Sequence, residues 1–463
     1  MPPTRNSDAL VLFGATGDLA YRKIFPALQA LIRRGQLETP IVAVGKETWG
    51  IERLRERVLD SIREFGDDTE RRSRDSLLGR LQFVHGDYRD GETFTRLGEV
   101  LRDTQCPLHY LAIPPSLFGV VIQGLHAGGD CAKARVVVEK PFGRDLKSAQ
   151  ELNAVLRARF AEPSIFRIDH YLGKESVQNL LYFRFANTFL EPIWNRHYVD
   201  SVTISMMESF GVEGRGRFYE EVGAIRDVVQ NHLLQVVAHV AMEPPTSNAV
   251  DSLRDEKIKV LRSVRSSTGR SLIRGQYLGY REEPGVAADS SVETFAAMQL
   301  HVDSWRWADV PFFVRAGKCL ADTATEVLVT LKRPPQTVFK EALSAHADHF
   351  RFRLGPDRVA IALGARVKKP GIEMVGQQLE LYVSNESEDE MSAYERLIGD
   401  ALRGDPSLFT REDAVLESWR IVDPLLELST ELHAYERGTC GPAAADALGR
   451  PLLALPPPGA SGA

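Results

Sequence analysis

Residues 9–28 read ALVLFGATGDLAYRKIFPAL, and this stretch decides the fold of the first part of the chain. An apolar run at 9–13 leads into Gly14-Ala15-Thr16-Gly17-Asp18-Leu19-Ala20, and a helix-like stretch follows through Leu31. Glycines at a strand-to-helix junction let the backbone turn tightly and approach a pyrophosphate. The helix N-terminus then offers unpaired N–H groups and a favourable dipole to the phosphates. The spacing is G-x-x-G rather than the full dinucleotide fingerprint, so alone it also describes an ordinary strand–helix joint. Its place after the first strand makes Gly14, Ala15, Thr16, Gly17, Asp18 and Leu19 the candidate cofactor loop.

Outward from that loop the pattern repeats. Strand-like runs stand at 41–45 (IVAVG), 81–84 (LQFV), 108–115 (LHYLAIPP) and 135–141 (RVVVEKP), with helical stretches at 51–65 and 117–127. Short apolar strands alternating with helices predict an α/β, Rossmann-type domain over residues 1–175, with a parallel sheet. From about 177 the texture changes. β-rich stretches at 180–185, 199–207, 293–302, 325–331, 349–354, 358–363 and 376–382, with a helix at about 220–240, predict a larger α+β domain over 176–450 containing an antiparallel sheet. Residues 451–463 lose periodicity and are expected to form a disordered tail.

A length of 463 residues exceeds what one core usually supports, in keeping with two domains. The formal net charge of -6, from 57 basic and 63 acidic residues, argues against nucleic acid held by bulk charge. The four cysteines, at 106, 131, 319 and 440, form neither a metal knuckle nor a redox pair, and no metal is expected. With no signal-peptide core and no run of 18 apolar residues, the expectation is a soluble, cytoplasmic protein without a membrane partner.

Two further regions bear on chemistry. At the end of the second strand, Lys46 and Glu47 stand where such folds meet the adenosine ribose. A cation there favours the 2′-phosphate of NADP and a carboxylate favours the free hydroxyl of NAD, so the two pull in opposite directions. The expectation is NADP, with Lys46 on the phosphate and Glu47 pointing away, and NAD as a weaker or second cofactor. Elsewhere, polar residues concentrate in Glu139-Lys140-Pro141-Phe142-Gly143, in Arg167 to Glu175 (RIDHYLGKE), and in Arg226-Asp227 before Gln230-Asn231-His232. In that last helix Val222, Ile225, Val229, Val236 and Val240 mark the buried stripe, and His232 flanks it. By itself His232 also reads as a buried, hydrogen-bonded core histidine.

With these motifs the chain resembles the glucose-6-phosphate dehydrogenase family, through GATGDLAYRKIFPAL, LAIPPSLF, VVVEKPFG, RIDHYLGKE, FGVEGRGRFYE and IRDVVQNHLLQ. The resemblance implies a dinucleotide-binding domain followed by a larger domain with an extended antiparallel sheet, assembling as a homodimer or homotetramer. It implies oxidation of glucose 6-phosphate at C1 to the lactone with hydride transfer to NADP+, the first step of the oxidative pentose phosphate pathway. It makes His232 the general base and Asp169 the carboxylate that orients it. His170, Tyr171 and Lys174 become the phosphate cluster. Lys140, Glu208 and Asp227 hold sugar hydroxyls, with Lys140 also reaching the cofactor, and Lys23 and Lys318 supply further substrate contacts. The chain departs from the pattern at Thr323, where many members carry a second basic residue, at Glu220, where Asp is usual, at Lys46, where many carry Arg, and at Ala324. Thr323 and Glu220 keep open an enzyme of this fold acting on another sugar or sugar phosphate. A non-catalytic sugar-phosphate binder is the further alternative, and it must account for Asp169 and His232 occurring together.

Overall fold

Ala9–Phe13 (β1) is buried along its whole length, as is Ile41–Gly45 (β2). Strands that are apolar on both faces suit only the interior of a parallel sheet covered on both sides. The computed structural model describes residues 6–127, 133–265, 271–336, 338–339, 347–356, 359–384 and 390–448. The expected tail at 451–463 and Cys131 lie outside them. Among the described residues no helix is long and apolar enough to cross a membrane.

The chain divides into two units, and the first is Met1–Glu175 with Pro245–Asp255 and Asp389–Leu416. Its sheet adds Leu81–His85 (β3), Pro107–Leu111 (β4), Arg135–Val138 (β5) and Ile165–Arg167 (β6) in the order β3-β2-β1-β4-β5-β6. Every pairing is parallel. The strand order reverses between β1 and β4, and in open parallel sheets ligands bind beyond the carboxyl ends of the strands at that point. The late segment joins this unit through the helix Ala393–Arg403. Its N-terminus is closed by a capping box of Ser392 and Glu395. Leu397, Ile398 and Ala401 enter the same apolar cluster as Leu10, Leu12, Phe25 and Leu28. Apolar burial of this kind, worth about 1.5–3 kcal/mol per large side chain, holds a distant segment to the first core.

The second unit is Ser176–Pro244, Glu256–Glu388 and Glu417–Ala463. Its strands are Val199–Met207 (β7), Val264–Arg265 (β8), Leu272–Tyr277 (β9), Phe295–Val302 (β10), Pro311–Gly317 (β11), Ala324–Leu331 (β12), His349–Leu354 (β13), Val359–Lys368 (β14), Gly376–Ser384 (β15) and Leu432–Tyr435 (β16). They form one sheet in the order β15-β14-β13-β12-β7-β11-β10-β9-β16, with β8 paired to β10. The sheet is antiparallel except for β7 with β11 and β9 with β16, which run parallel.

One expected strand is a helix. Residues 180–185 (LLYFRF) lie within the helix Glu175–Ala186. A short apolar and aromatic run has no periodicity that separates strand from helix. What holds it is tertiary: Arg184 turns inward and donates to the carbonyls of His239, at 2.6 Å, and Met242, at 2.9 Å. The single helix expected over 220–240 is also interrupted. Gly223 takes φ 61°, and the chain restarts as a π-helical stretch, Ile225–Leu233, before Leu234–Ala241. Glu293 covers the restart, its carbonyl accepting from Ala224 N at 3.0 Å and its carboxylate from Ile225 N at 3.2 Å.

Candidate active site

In the first unit, the nucleotide turn sits at the carboxyl ends of β1 and β2. Gly14 has φ +78°, and a Cβ there would lie 2.2 Å from the Ala112 carbonyl oxygen, so only glycine fits. Gly17 N closes the turn on Gly14 O at 2.9 Å. Ala15 is buried, Asp18 is exposed and ion-paired to Arg22 at 3.4 Å, and Leu19 lines the cleft described below. A residue outside the expected set secures the turn. The Tyr88 hydroxyl accepts from Gly14 N at 2.8 Å and donates to Val44 O at 3.2 Å. Burial, with the charge of Glu47 nearby, pushes that phenol up to about 12. The short, glycine-lined cradle fits a dinucleotide pyrophosphate.

After β2, Lys46 is exposed, and Glu47 turns back to the glycine turn, where its Oε2 accepts from Thr16 Oγ1 at 2.5 Å. The side chain folds back because the half-buried threonine hydroxyl needs an acceptor.

The RIDHYLGKE segment follows β6. It is anchored by Arg167, fully buried, whose guanidinium grips Glu162 at 2.7 and 3.1 Å and Asn153 at 3.1 Å. Asp169 is 3% exposed, and its Oδ1 accepts from Tyr171 N at 3.0 Å, which fixes the carboxylate at the strand end. Tyr171 is buried and presents its ring to Lys174, whose Nζ lies 3.8 Å from the ring centroid. His170 makes an edge contact with that ring at 5.1 Å and stacks on Tyr394 at 6.4 Å. A cleft of about 650 Å³ within this unit brings Lys23, His170 and Lys174 together, along with Arg22, Tyr394 and Ser392. Two lysines and an imidazole facing one cavity suit a phosphate dianion.

At the end of β5, Lys140 is half-buried and Glu139 is buried. The motif containing Glu139 was visible in the sequence, but its partners were not. Tyr110 donates to the carboxylate at 2.6 Å and Tyr394 donates to it as well. Burial pushes the carboxyl up to about 7 from 4.5, against the tyrosine hydrogen bonds and the charge of Lys140, while Asp169 adds to the rise. The folded chain therefore holds a proton here that the unfolded chain releases between about pH 4.5 and 7. This group's contribution falls as pH rises through that window, by about 3 kcal/mol in all. Glu139→Gln should flatten that decline in denaturant unfolding measured across pH. A wild-type slope in the variant would assign the titration to another group.

In the second unit, Glu208 follows β7 and Lys318 follows β11. The parallel register, Met207 opposite Gly317, sets them side by side. Lys318, 3% exposed, turns inward to Glu208 at 2.6 Å and lies 5.0 and 5.4 Å from the rings of Phe210 and Tyr219. Asp227 and His232 share the π-helical stretch, a geometry often found at functional sites. His232 is 2% exposed, and its backbone N–H donates to Asn231 Oδ1 at 2.6 Å. Asp227 is half-buried. Two departures from the family pattern have structural partners. Thr323 bonds Ser209 N at 2.9 Å and Ser209 Oγ at 2.8 Å. Glu220 accepts from Tyr280 and Ser290 hydroxyls at 2.7 Å each.

Two family models match the chain: "Glucose-6-phosphate dehydrogenase, NAD binding domain" over 11–179 and "Glucose-6-phosphate dehydrogenase, C-terminal domain" over 181–451. A Mycobacterium tuberculosis protein named glucose-6-phosphate 1-dehydrogenase 1 is 43% identical over 446 residues, which is 96% of this chain and 94% of the relative. The crystal structure of glucose-6-phosphate 1-dehydrogenase from Mycobacterium avium superposes with a TM-score of 0.91 at 43% identity, covering 97% of this chain and 99% of that one. A glucose-6-phosphate dehydrogenase in complex with its substrate glucose 6-phosphate superposes with a TM-score of 0.90 at 35% identity, covering 97% and 98%.

Proposed function

The chain belongs to the glucose-6-phosphate dehydrogenase family, and from that premise we propose how its own residues carry the family's reaction. It is an oxidoreductase of carbohydrate metabolism, a glucose-6-phosphate 1-dehydrogenase that converts D-glucose 6-phosphate to 6-phospho-D-glucono-1,5-lactone with NADP+, at the head of the oxidative pentose phosphate pathway. What carries this is similarity along nearly the whole chain, over both units, to enzymes of that one activity.

His232 takes the proton of the sugar's C1 hydroxyl as the general base, a role to which the imidazole side chain is chemically suited. Asp169 orients the imidazole and supports its positive charge. When bound, the nicotinamide supplies the hydride acceptor. Lys174, His170 and Tyr171 hold the substrate phosphate, assisted by Lys23, and the shared cleft of the two lysines and the imidazole supports this. Glu208, Asp227 and Lys140 hold sugar hydroxyls, and Lys318 makes a further substrate contact while its ion pair with Glu208 fixes both side chains. The turn from Gly14 to Leu19 holds the pyrophosphate and Lys46 meets the 2′-phosphate. Assembly as a homodimer or homotetramer through the larger unit is part of the reading. Leu379, Leu381 and Val383, exposed on the edge strand β15, support it. So is a cytoplasmic location, where thiols stay reduced.

The test is a panel of glucose 6-phosphate, glucose and other sugar phosphates, each with NADP+ and NAD+, read by absorbance of the reduced nicotinamide. Glucose 6-phosphate should be the best substrate. Faster oxidation of another sugar phosphate would overturn the substrate assignment. Thr323 and Glu220, the departures that keep another sugar or sugar phosphate open, are engaged with Ser209, Tyr280 and Ser290.

A further inference from the structure

We propose that Glu47 is a cofactor-specificity residue that makes NAD+ a working second cofactor of this enzyme and restrains its affinity for NADP+. The inference rests on the assignment of the Gly14–Leu19 turn to the dinucleotide, and it deepens that assignment. The carboxylate sits at the carboxyl end of β2, the position from which an acidic residue reads the adenosine ribose in this fold. It is not an incidental surface charge. Thr16, inside the turn, donates to it at 2.5 Å, and a Cβ at Gly45 would crowd the Thr16 methyl at 3.0 Å, so glycine there lets Thr16 sit as it does. Its charge is felt in the turn itself, where it helps raise the Tyr88 phenol that holds Gly14. The cation beside it, Lys46, is exposed. Arg57, on the following helix Ile51–Phe65, is stacked on Tyr21 at 4.6 Å and near Trp49 at 5.9 Å, and Arg53 lies over Trp49 at 5.9 Å and pairs with Glu56.

A ribose 2′-hydroxyl can donate to a carboxylate held in this way. A 2′-phosphate, which only accepts and carries negative charge, meets like charge there and gains only from the cation at Lys46. The two cofactors thus draw on neighbouring residues of opposite sign, and the Thr16 hydrogen bond keeps the acidic one in place whichever is bound.

The test is direct binding of NAD+ and NADP+ to the full chain without sugar, by calorimetric titration, in the wild type, Glu47→Gln, Glu47→Asp and Lys46→Ala. The wild type should bind both. Glu47→Gln should tighten NADP+ and weaken NAD+, moving the ratio of dissociation constants roughly tenfold to a hundredfold toward NADP+, the range for one charge-assisted contact. Glu47→Asp, which draws the carboxylate back by one methylene, should move the ratio the same way by less, and it carries the test if the glutamine variant does not fold. Lys46→Ala should move it the other way. A ratio within twofold of wild type in a folded Glu47 variant, or no NAD+ binding by the wild type at millimolar concentration, would overturn the proposal. Failure to oxidise glucose 6-phosphate while the binding ratios shift as expected would strike the proposed function instead and leave this inference standing.

Discussion

His232→Asn is expected to lower turnover with saturating glucose 6-phosphate by roughly 10²–10⁴-fold, the usual worth of a general base, while leaving NADP+ binding intact. Asparagine keeps a hydrogen-bonding side chain of related size and removes the proton acceptor. The substitution lies in the buried π-helical stretch and does not touch the Gly14–Leu19 turn, so cofactor affinity should not move. Asp169→Asn should also slow turnover, since an amide can favour the wrong imidazole tautomer and cannot support the imidazolium. The Tyr171 N–H that donates to Asp169 Oδ1 can still find an acceptor in the amide, so the strand end should survive that change. The measurement is kcat across the pH range in which histidine titrates, with cofactor binding and thermal unfolding followed separately. Restoration of activity to His232→Ala by added imidazole would separate proton transfer from packing. Near-wild-type turnover in a folded His232→Asn would end the assignment and move the search for a base to His170.

Lys174→Ala is expected to raise the half-saturating concentration of glucose 6-phosphate roughly tenfold to a hundredfold, the loss of one charge-assisted contact, and to change the oxidation of unphosphorylated glucose little. Lys174 faces the cleft with Lys23 and His170, and the ring of Tyr171 lies under its ammonium. The effect should fall at the upper end of that range. Position 323, where many relatives carry a second cation, is a threonine tied to Ser209, so fewer positive groups share the dianion. Lys174→Arg should recover part of the affinity. Equal losses with both sugars would remove the phosphate role and leave Lys174 as a packing partner of Tyr171.

Most of the first unit could be read from local pattern. The apolar runs of β1 and β2, the glycine turn between strand and helix, and the alternation of strands and helices each follow from the few residues that compose them. A buried parallel strand must be apolar on both faces, and a tight turn at φ +78° must be glycine. The strands at β7, β10, β12, β13, β14 and β15 were legible in the same way. RIDHYLGKE and QNH stood out as candidate site segments because dense polar residues beside apolar runs need partners that the local pattern does not supply, as Arg167 finds in Glu162 and Asn153.

What only the tertiary structure decided are relations between residues far apart in the chain. Residues 180–185 became helix because Arg184 found the carbonyls of His239 and Met242. Glu208 met Lys318 because β7 lies parallel to β11, a neighbour more than a hundred residues later in sequence. Tyr88, Tyr110 and Tyr394 came to the nucleotide turn and to Glu139 from three separate elements. Glu47 turned back to Thr16, so the direction of its carboxylate was set by a hydroxyl on another strand's turn. Periodicity and turn chemistry act over a handful of residues and fix which face is buried. Partners of buried charges and hydroxyls are chosen by packing, once the faces have met.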